Sequence, residues 1–267
     1  MTNYQQFKYA LGMWPKAWSF IFKNKLSHFF LYPFLAAIAI YLSATKLIDH
    51  LVDKLMAYVH FLIGAPMGDA FDSWQSFFHH LASNVIQFIA WICGLYVFWK
   101  ISKYVTLIIM SPVMSILSSR TEEILTGKSL PFDFGQMMKD IIRGSALSIR
   151  NLFLELSITM AIMFANVVIA LLFAPLDFII TPASMIASFL VGAYFSGFSN
   201  LDYPLENRRY TFKGSISFMR ANKGLAVGNG LIYSLLVKVP ILGVTLATVT
   251  TTVAATMIVC DEKNKLN

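Results

Sequence analysis

The residues best suited to chemistry form a charged segment between two long apolar runs. Arg208 and Arg209 are adjacent, and Asp202 and Glu206 come shortly before them. Guanidinium groups are permanently charged, planar donors that match the geometry of oxyanions. The segment therefore predicts an anion-binding site or, with the carboxylates as counterions, a cytoplasmic loop held by its own salt bridges.

Other charged residues lie at the edges of apolar runs. Lys25 and Arg150 would add positive charge to an anion site, and Lys238 could do the same or could snorkel from a short half-helix before Pro240. Glu155 falls in the predicted first turn of an apolar helix, where an ionisable group is costly and suggests function. An interfacial salt bridge or a helix cap explains Glu155 equally well.

No catalytic constellation, metal-ligand spacing or phosphate-binding loop occurs in the sequence. His79 and His80 are adjacent, so on a helix they would point to different sides. Cys93 and Cys260 are single cysteines in or at the end of apolar runs, where they serve as small packing residues. The sequence predicts no enzyme, no metal site and no cofactor.

The elements that must position these residues are membrane helices. The chain has 267 residues, of which 57% are hydrophobic and only 13% are charged, whereas soluble domains carry about 25% charged residues. The net charge of +7 could suggest a nucleic-acid partner. The basic residues instead cluster between apolar runs, as membrane topology requires. We therefore predict one membrane domain with the lipid bilayer as partner and no nucleic acid.

The first predicted element, in residues 1–28, is an amphipathic helix lying at the membrane interface. Its apolar residues recur at helical spacing and share one face: Phe7, Leu11, Trp14, Trp18 and Ile21. A helix packed into the domain is the alternative. Residues 29–110 are predicted to form two long spanning helices joined as a hairpin, with a break at 64–68 outside the bilayer.

The rest of the chain divides into four predicted segments. Residues 111–152 form a cytoplasmic helical region in which Ser111–Pro112 ends the preceding helix, Gly127 stops another, and a new helix starts near Pro131 or Asp133. A hairpin at 153–199 turns at Pro175, a basic loop covers 200–224, and a second hairpin covers 225–260. The sequence leaves open whether these hairpins cross the bilayer or are re-entrant.

Two further patterns concern the same segments. The threonines between Thr245 and Thr256 predict close helix packing, with a hydroxyl-lined pore as the alternative. Basic residues are concentrated in alternate loops, which places both termini on the cytoplasmic side of a multi-pass protein in the cell (inner) membrane.

Several stretches, in matching order, resemble those of the CysZ family, the bacterial sulfate permeases grouped with eukaryotic etoposide-induced proteins. The resemblance covers a signature loop, a Ser-Pro turn leading into a short helix, and the last hairpin: Leu201–Pro204, Arg208–Phe212, Ser111–Leu117, Glu122, Leu125–Gly127, Val239–Pro240 and Ala254–Thr256. Where members that bind sulfate near the N-terminus carry a Gly-Leu-Arg turn, this chain has Lys25-Leu26-Ser27.

The resemblance implies a mostly helical membrane protein that oligomerises with itself. It also implies two long spanning helices, hairpins that do not fully cross, and passive or proton-linked sulfate entry. We expect structural or gating roles for polar and proline residues in these stretches and beside them: Asp202, Pro204, Glu206, Pro112, Glu122, Glu155 and Pro240.

We therefore expect transport of a small inorganic anion, with sulfate as the first candidate, by a channel-like or permease mechanism. Arg208 and Arg209, with Lys25 and Arg150, would concentrate the anion at the cytoplasmic mouth. Helix N-termini and threonine hydroxyls would then replace its water. The alternative is a membrane-organising or interaction protein of the same family without transport. The missing Gly-Leu-Arg turn and the aromatic-rich segment 54–81 favour this alternative.

Overall fold

The computed structural model describes residues 1–63, 103–128, 134–239 and 241–265. Every regular element in these ranges is a helix. The chain divides into two compact units. The first comprises Met1–Ala37 and Tyr104–Asn267, and the second is Ile38–Lys103. Predicted features at 64–102, Pro131, Asp133 and Pro240 lie outside the described residues.

The N-terminal helix α1 (Asn3–Lys23) is capped by Thr2 and Gln5 in a reciprocal capping box. It packs against the last two helices of the chain, as the alternative interpretation of this segment had it. Of the predicted apolar face only Ile21 is fully buried, and the other buried residues lie next to that face and include two alanines: Gln6, Ala10, Met13 and Ala17. Small side chains let helices approach closely, so the larger aromatic residues remain half-buried beside the contact.

A short 3-10 helix (Leu26–Phe30) leads from α1 into α2 (Leu31–Ile63). The next described helix, α3, covers residues 103–126. The predicted break at Ser111–Pro112 is wrong, since α3 continues through both residues. A proline inside a helix removes one backbone bond, and packing of the buried neighbours Met110 and Met114 offsets that loss. Gly127, with a φ of +67°, ends α3 as predicted.

Helices α4 (Phe134–Leu172) and α5 (Asp177–Asn207) form the first hairpin. A 3-10 turn at Ala174–Leu176 joins them where the sequence predicts, and Asn166 donates across the hairpin to Thr181 over 3.1 Å. Both helices are longer than the predicted hairpin arms. The predicted loop at 200–224 is mostly helical, because α5 runs on through Pro204 and is followed by α6 (Phe212–Ala221).

The chain ends with a helix pair, α7 (Lys223–Leu236) and α8 (Leu242–Lys265), which pack against each other. The backbones of α5 and α7 lie very close together. A Cβ added at Gly197 or Gly230 would clash with main-chain atoms of the facing helix. In α8, six threonine hydroxyls donate to the carbonyl four residues earlier in the chain: Thr245, Thr248, Thr250, Thr251, Thr252 and Thr256. This self-bonding fits the packing interpretation of the threonines.

Four helices of the described chain are long and apolar enough to cross a membrane: Leu26–Ser43, Met138–Leu172, Asp177–Asn207 and Leu242–Asp261. The last is mostly buried by other helices, whereas the other three leave most of their apolar surface uncovered. An uncovered apolar surface of this length suits lipid contact. The protein is therefore an all-α membrane protein, as predicted, and the re-entrant hairpins and single-domain boundaries stay predictions.

Candidate functional site

The charged segment around Asp202 and Glu206 lies at the end of α5 and is largely buried. Every residue from Leu201 to Glu206 is buried, although the segment is rich in polar groups. Asp202 and Glu206 are four residues apart, so both carboxylates project from one face of the helix. Burial of charged groups requires partners from neighbouring helices, and α3, α4 and α6 supply them.

Arg208 is held in an ion pair and does not stand free for an anion. Its Nε and Nη2 atoms donate to Oε1 of Glu122 on α3, both over 3.1 Å. Nη1 donates to the carbonyl of Val259 on α8 over 2.8 Å, and Nη2 lies 3.3 Å from Sγ of Cys260. Only 15% of the Arg208 side chain and 12% of the Glu122 side chain are exposed. Arg208 therefore connects the end of α5 to α3 and α8.

A hydroxyl and amide network lies beside this pair. Asn207 donates to Ser118 Oγ over 3.0 Å, and Ser118 shares a 2.9 Å hydrogen bond with Thr256. Ser115 donates weakly to Asn207 over 3.4 Å. These bonds also join α3, α5 and α8, so the polar residues here fix the relative positions of the helices.

A second charged cluster surrounds Arg143 of α4. Its Nη2 lies 3.2 Å from Oδ2 of Asp202 and 3.5 Å from Oε1 of Glu206, and its Nη1 donates to Ser215 of α6 over 3.0 Å. The side chains of Asp202 and Glu206 are 5% and 1% exposed. A single guanidinium thus faces two buried carboxylates.

Arg150 and Glu155, both on α4, have separate surroundings. Arg150 donates to the side chain of Asn151 over 2.9 Å, and its guanidinium carbon lies 5.9 Å from the centre of the Phe198 ring. Glu155 is buried and accepts a 2.6 Å hydrogen bond from Tyr104. The prediction that Glu155 lies in a first turn is wrong, because α4 begins at Phe134. Glu155 therefore does not cap the helix.

The remaining predicted cations lie at exposed turns. Lys25 precedes the 3-10 helix with a left-handed φ of 57°. Arg209 follows α5 with a φ of 58°, and its own amide and that of Tyr210 bond back to Glu206 and Leu205 in a Schellman-like arrangement. Lys238 follows α7, and its Nζ lies 4.9 Å from the centre of the Phe189 ring.

The structure therefore separates the predicted site residues. Arg208 and Glu122 form one partly buried pair, and Asp202 and Glu206 belong to another cluster. Pro112 and Pro204 lie inside helices, and the anion-binding and gating roles of all these residues stay predictions. Sequence reasoning missed Arg143 as the partner of the carboxylates. The signal was the i, i+4 spacing of two acids in an apolar helix, which calls for a cation from another element.

The left-handed turn at Lys25 bears on the missing glycine. A glycine adopts a positive φ without strain, whereas a side chain makes it costly. Lys25 has the glycine-type backbone conformation although it is a lysine. A left-handed backbone conformation therefore occurs at the first residue of Lys25-Leu26-Ser27, where it carries one positive charge.

Comparison with known proteins agrees with this architecture. A search of curated proteins finds no match. The model of the family described as "Sulfate transporter CysZ/Etoposide-induced protein 2.4" matches residues 13–247. This range spans most of the chain and includes α3 to α7, with the Arg208–Glu122 pair and the Arg143 cluster. The chain belongs to the CysZ/etoposide-induced protein 2.4 family.

Proposed function

We propose that this protein lets sulfate, or a small inorganic oxyanion like it, cross the membrane. The observation that carries the proposal is the family match over residues 13–247, since the family description names sulfate transport. The four candidate spanning helices supply the membrane scaffold that such an activity needs. The family is one of transporters, and the proposal therefore contains no catalytic step.

The exposed positive charge at the end of α5 is the proposed point of anion entry. Arg209 is exposed, and α6 starts shortly after it with Thr211 as N-cap. The first turn of α6 contains no acidic residue, and the free amides of a helix N-terminus favour anions. Lys213 adds a further positive charge in this turn. Arg208 has a different role, because Glu122 neutralises it.

Lys25 is a second proposed contact for the anion. Its exposed ammonium and left-handed turn take the place of the Gly-Leu-Arg turn in members that bind sulfate near the N-terminus. An ammonium is a point charge without the planar fork of arginine. We therefore propose that Lys25 attracts the anion without fixing its orientation, so that selectivity among oxyanions is weak at this position.

The test is sulfate flux into liposomes that contain the purified protein, compared with empty liposomes. Arg209→Gln and Lys25→Gln should each lower the flux several-fold, most strongly at low salt, because screening reduces long-range attraction. Lys8→Gln is the matched control, since Lys8 is an exposed lysine of α1 beside the Tyr4 ring. No flux of sulfate or of related anions by the wild type would support the non-transporting alternative.

We further propose a multi-pass protein in the inner membrane, with both termini cytoplasmic and with self-association. Support comes from the alternation of basic loops and from the uncovered apolar surfaces of α4 and α5. Single cysteines introduced at Pro175 and near the C-terminus should show whether the first hairpin crosses the bilayer. Labelling of both positions from the same side by an impermeant reagent would support a re-entrant hairpin.

A further inference from the structure

The Arg143 cluster contains more negative charge than its own cation can balance. Asp202 and Glu206 carry two carboxylates, while Arg143 provides a single positive charge. Asp140 of the same helix adds a third carboxylate whose negative charge acts on both acids, although its side chain accepts a hydrogen bond from Gln136. Tyr203, the other titratable neighbour of Glu206, donates to the carbonyl of Leu107.

Several buried oxygens in this cluster lack hydrogen-bond partners within the described residues. They are Oδ1 of Asp202, Oγ of Ser111 and both carboxylate oxygens of Glu206, of which Oε1 lies 3.5 Å from Nη2 of Arg143. Nε of Arg143 is an unpartnered donor in the same cluster. Ser111 belongs to α3 and is 2% exposed, so an element separate from the acidic helix contributes an unpartnered polar group. Buried polar atoms without partners are rare and usually indicate a missing ligand or water.

Two of these oxygens lie beside Gly144. A Cβ added to Gly144 would clash with Oε1 of Glu206 and would lie 3.5 Å from Oγ of Ser111. The absence of a side chain at Gly144 therefore makes room for the Glu206 carboxylate next to Ser111. We call Asp202, Glu206, Ser111 and Gly144 the carboxylate pocket.

The chemistry of the pocket selects a positively charged ligand. Nearly all of its unpartnered atoms are acceptors, and carboxylates and hydroxyls are ligands for hard cations or for a proton. An anion would meet two like charges. A neutral water would satisfy acceptors but would leave the charge excess in place, and uncompensated charge in a buried site is strongly unfavourable.

We propose that the carboxylate pocket binds one monovalent cation, either a proton held on Glu206 or an alkali-metal ion shared by Glu206, Asp202 and Ser111. With that charge bound, the two carboxylates are balanced by Arg143 and the ligand together. The cation then stabilises the junction of α3, α4, α5 and α6. This site does not depend on the proposed anion transport.

The experiment uses the purified full-length protein in detergent and measures its thermal unfolding. One series replaces choline chloride with sodium or potassium chloride at constant ionic strength, and a second varies pH without alkali metal. A bound metal raises Tm with its concentration by mass action. A proton kept only by the folded state makes Tm fall as pH rises above about 5, because the unfolded glutamate releases it.

Substitutions test whether the carboxylate pocket is the site that binds the cation. Glu206→Gln should abolish the metal response or flatten the fall in Tm with pH, because its neutral amide removes the charge excess. Glu123→Gln is the control, because Glu123 is 36% exposed and pairs with Arg120 on the surface of α3; it should respond as the wild type does.

Two milder variants keep the test decisive if Glu206→Gln does not fold. Ser111→Ala removes one oxygen ligand and should weaken a metal response several-fold while leaving a proton response intact. Gly144→Ala displaces the Glu206 carboxylate, because the new Cβ would clash with its Oε1, and should weaken both responses. The proposal is overturned if the wild type shows neither response, or if Glu206→Gln or Gly144→Ala folds and responds as the wild type does.

Discussion

Arg208 and Arg209 are neighbours in sequence, but replacing each by alanine should have opposite consequences. Arg208→Ala removes four hydrogen bonds, two to Glu122, one to the carbonyl of Val259 and one to Sγ of Cys260. It leaves the Glu122 carboxylate at a site that is only 12% exposed. Arg209→Ala removes an exposed side chain whose backbone conformation alanine would share.

The magnitude of the Arg208 effect follows from the ion pair that the substitution breaks. Hydrogen bonds to charged groups contribute about 1.5–3 kcal/mol each, and breaking a fully buried ion pair destabilises by about 3–5 kcal/mol. Water still reaches this pair, so we expect the free energy of unfolding to fall by about 2–4 kcal/mol. On the scale of soluble proteins this lowers Tm by roughly 5–12 °C. Arg209→Ala should change stability by less than about 0.5 kcal/mol.

The assay combines thermal unfolding in detergent with sulfate flux in liposomes. We expect Arg208→Ala to lower Tm and Arg209→Ala to lower flux at unchanged Tm. A double-mutant cycle with Glu122→Gln should give a coupling energy above about 1 kcal/mol, because the two residues are in direct contact. The reasoning is refuted if Arg208→Ala keeps the wild-type Tm but abolishes the flux, since Arg208 would then bind the anion.

Three further changes test other parts of the structure. Lys25→Gly should raise unfolding stability by up to about 1 kcal/mol, because glycine relieves the left-handed φ, yet it should lower sulfate flux; equal flux would contradict this. Gly197→Ala should destabilise by about 1–3 kcal/mol or more, since its Cβ would meet the backbone of Ala226. Its control, Gly12→Ala, has open space around it and should stabilise α1 by up to about 1 kcal/mol, as denaturation midpoints will show. Thr251→Val should leave flux unchanged, because its hydroxyl bonds the Ala247 carbonyl; a changed flux would favour the hydroxyl-lined pore.

Local signals in the sequence located several helix ends correctly. Gly127 ends α3 because glycine adopts the positive φ of a helix C-terminus. The turn at Pro175 separates two apolar runs, each long enough for a membrane helix. The break near Lys238, which separates α7 from α8, is also predicted correctly. These features depend on residues close in sequence, so a single chain is sufficient to predict them.

The continuation of α5 through its charged end could not be predicted in this way. Local composition from Asp202 to Arg209 is that of a solvated loop, because charged residues are mostly exposed. The segment is helical because Arg143 lies opposite Asp202, although 59 positions separate them in the sequence. Pairing over such a distance depends on how α4 and α5 pack, which periodicity does not show. Pro112 likewise remains helical while its neighbours Met110 and Met114 pack into the core.

The buried face of α1 illustrates the same difference between pattern and packing. Hydrophobic periodicity selects the largest apolar side chains, and these are the aromatic residues of the helix. The structure buries Ala10 and Ala17 instead, because α7 presents Gly224 and Gly228 to α1. Close approach of two backbones excludes large side chains from the contact. The aromatic face of α1 is left at its edge, where it can still contact lipid.

Two exposed cationic residues at helix ends have a left-handed backbone conformation. Among the described residues, Lys25 and Arg209 are two of three non-glycine residues with a left-handed φ. That conformation costs a side chain about 1–2 kcal/mol, and glycine avoids most of this strain. Both residues have exposed cationic side chains. These side chains contribute less to the stability of the fold than the ion pair of Arg208 does. Strained residues tend to cluster at functional sites, so we expect these two turns, rather than the partly buried arginines, to contact the anion. Arg143 and Arg208 join neighbouring helices through ion pairs, so the anion contacts that we propose are at the exposed basic turns.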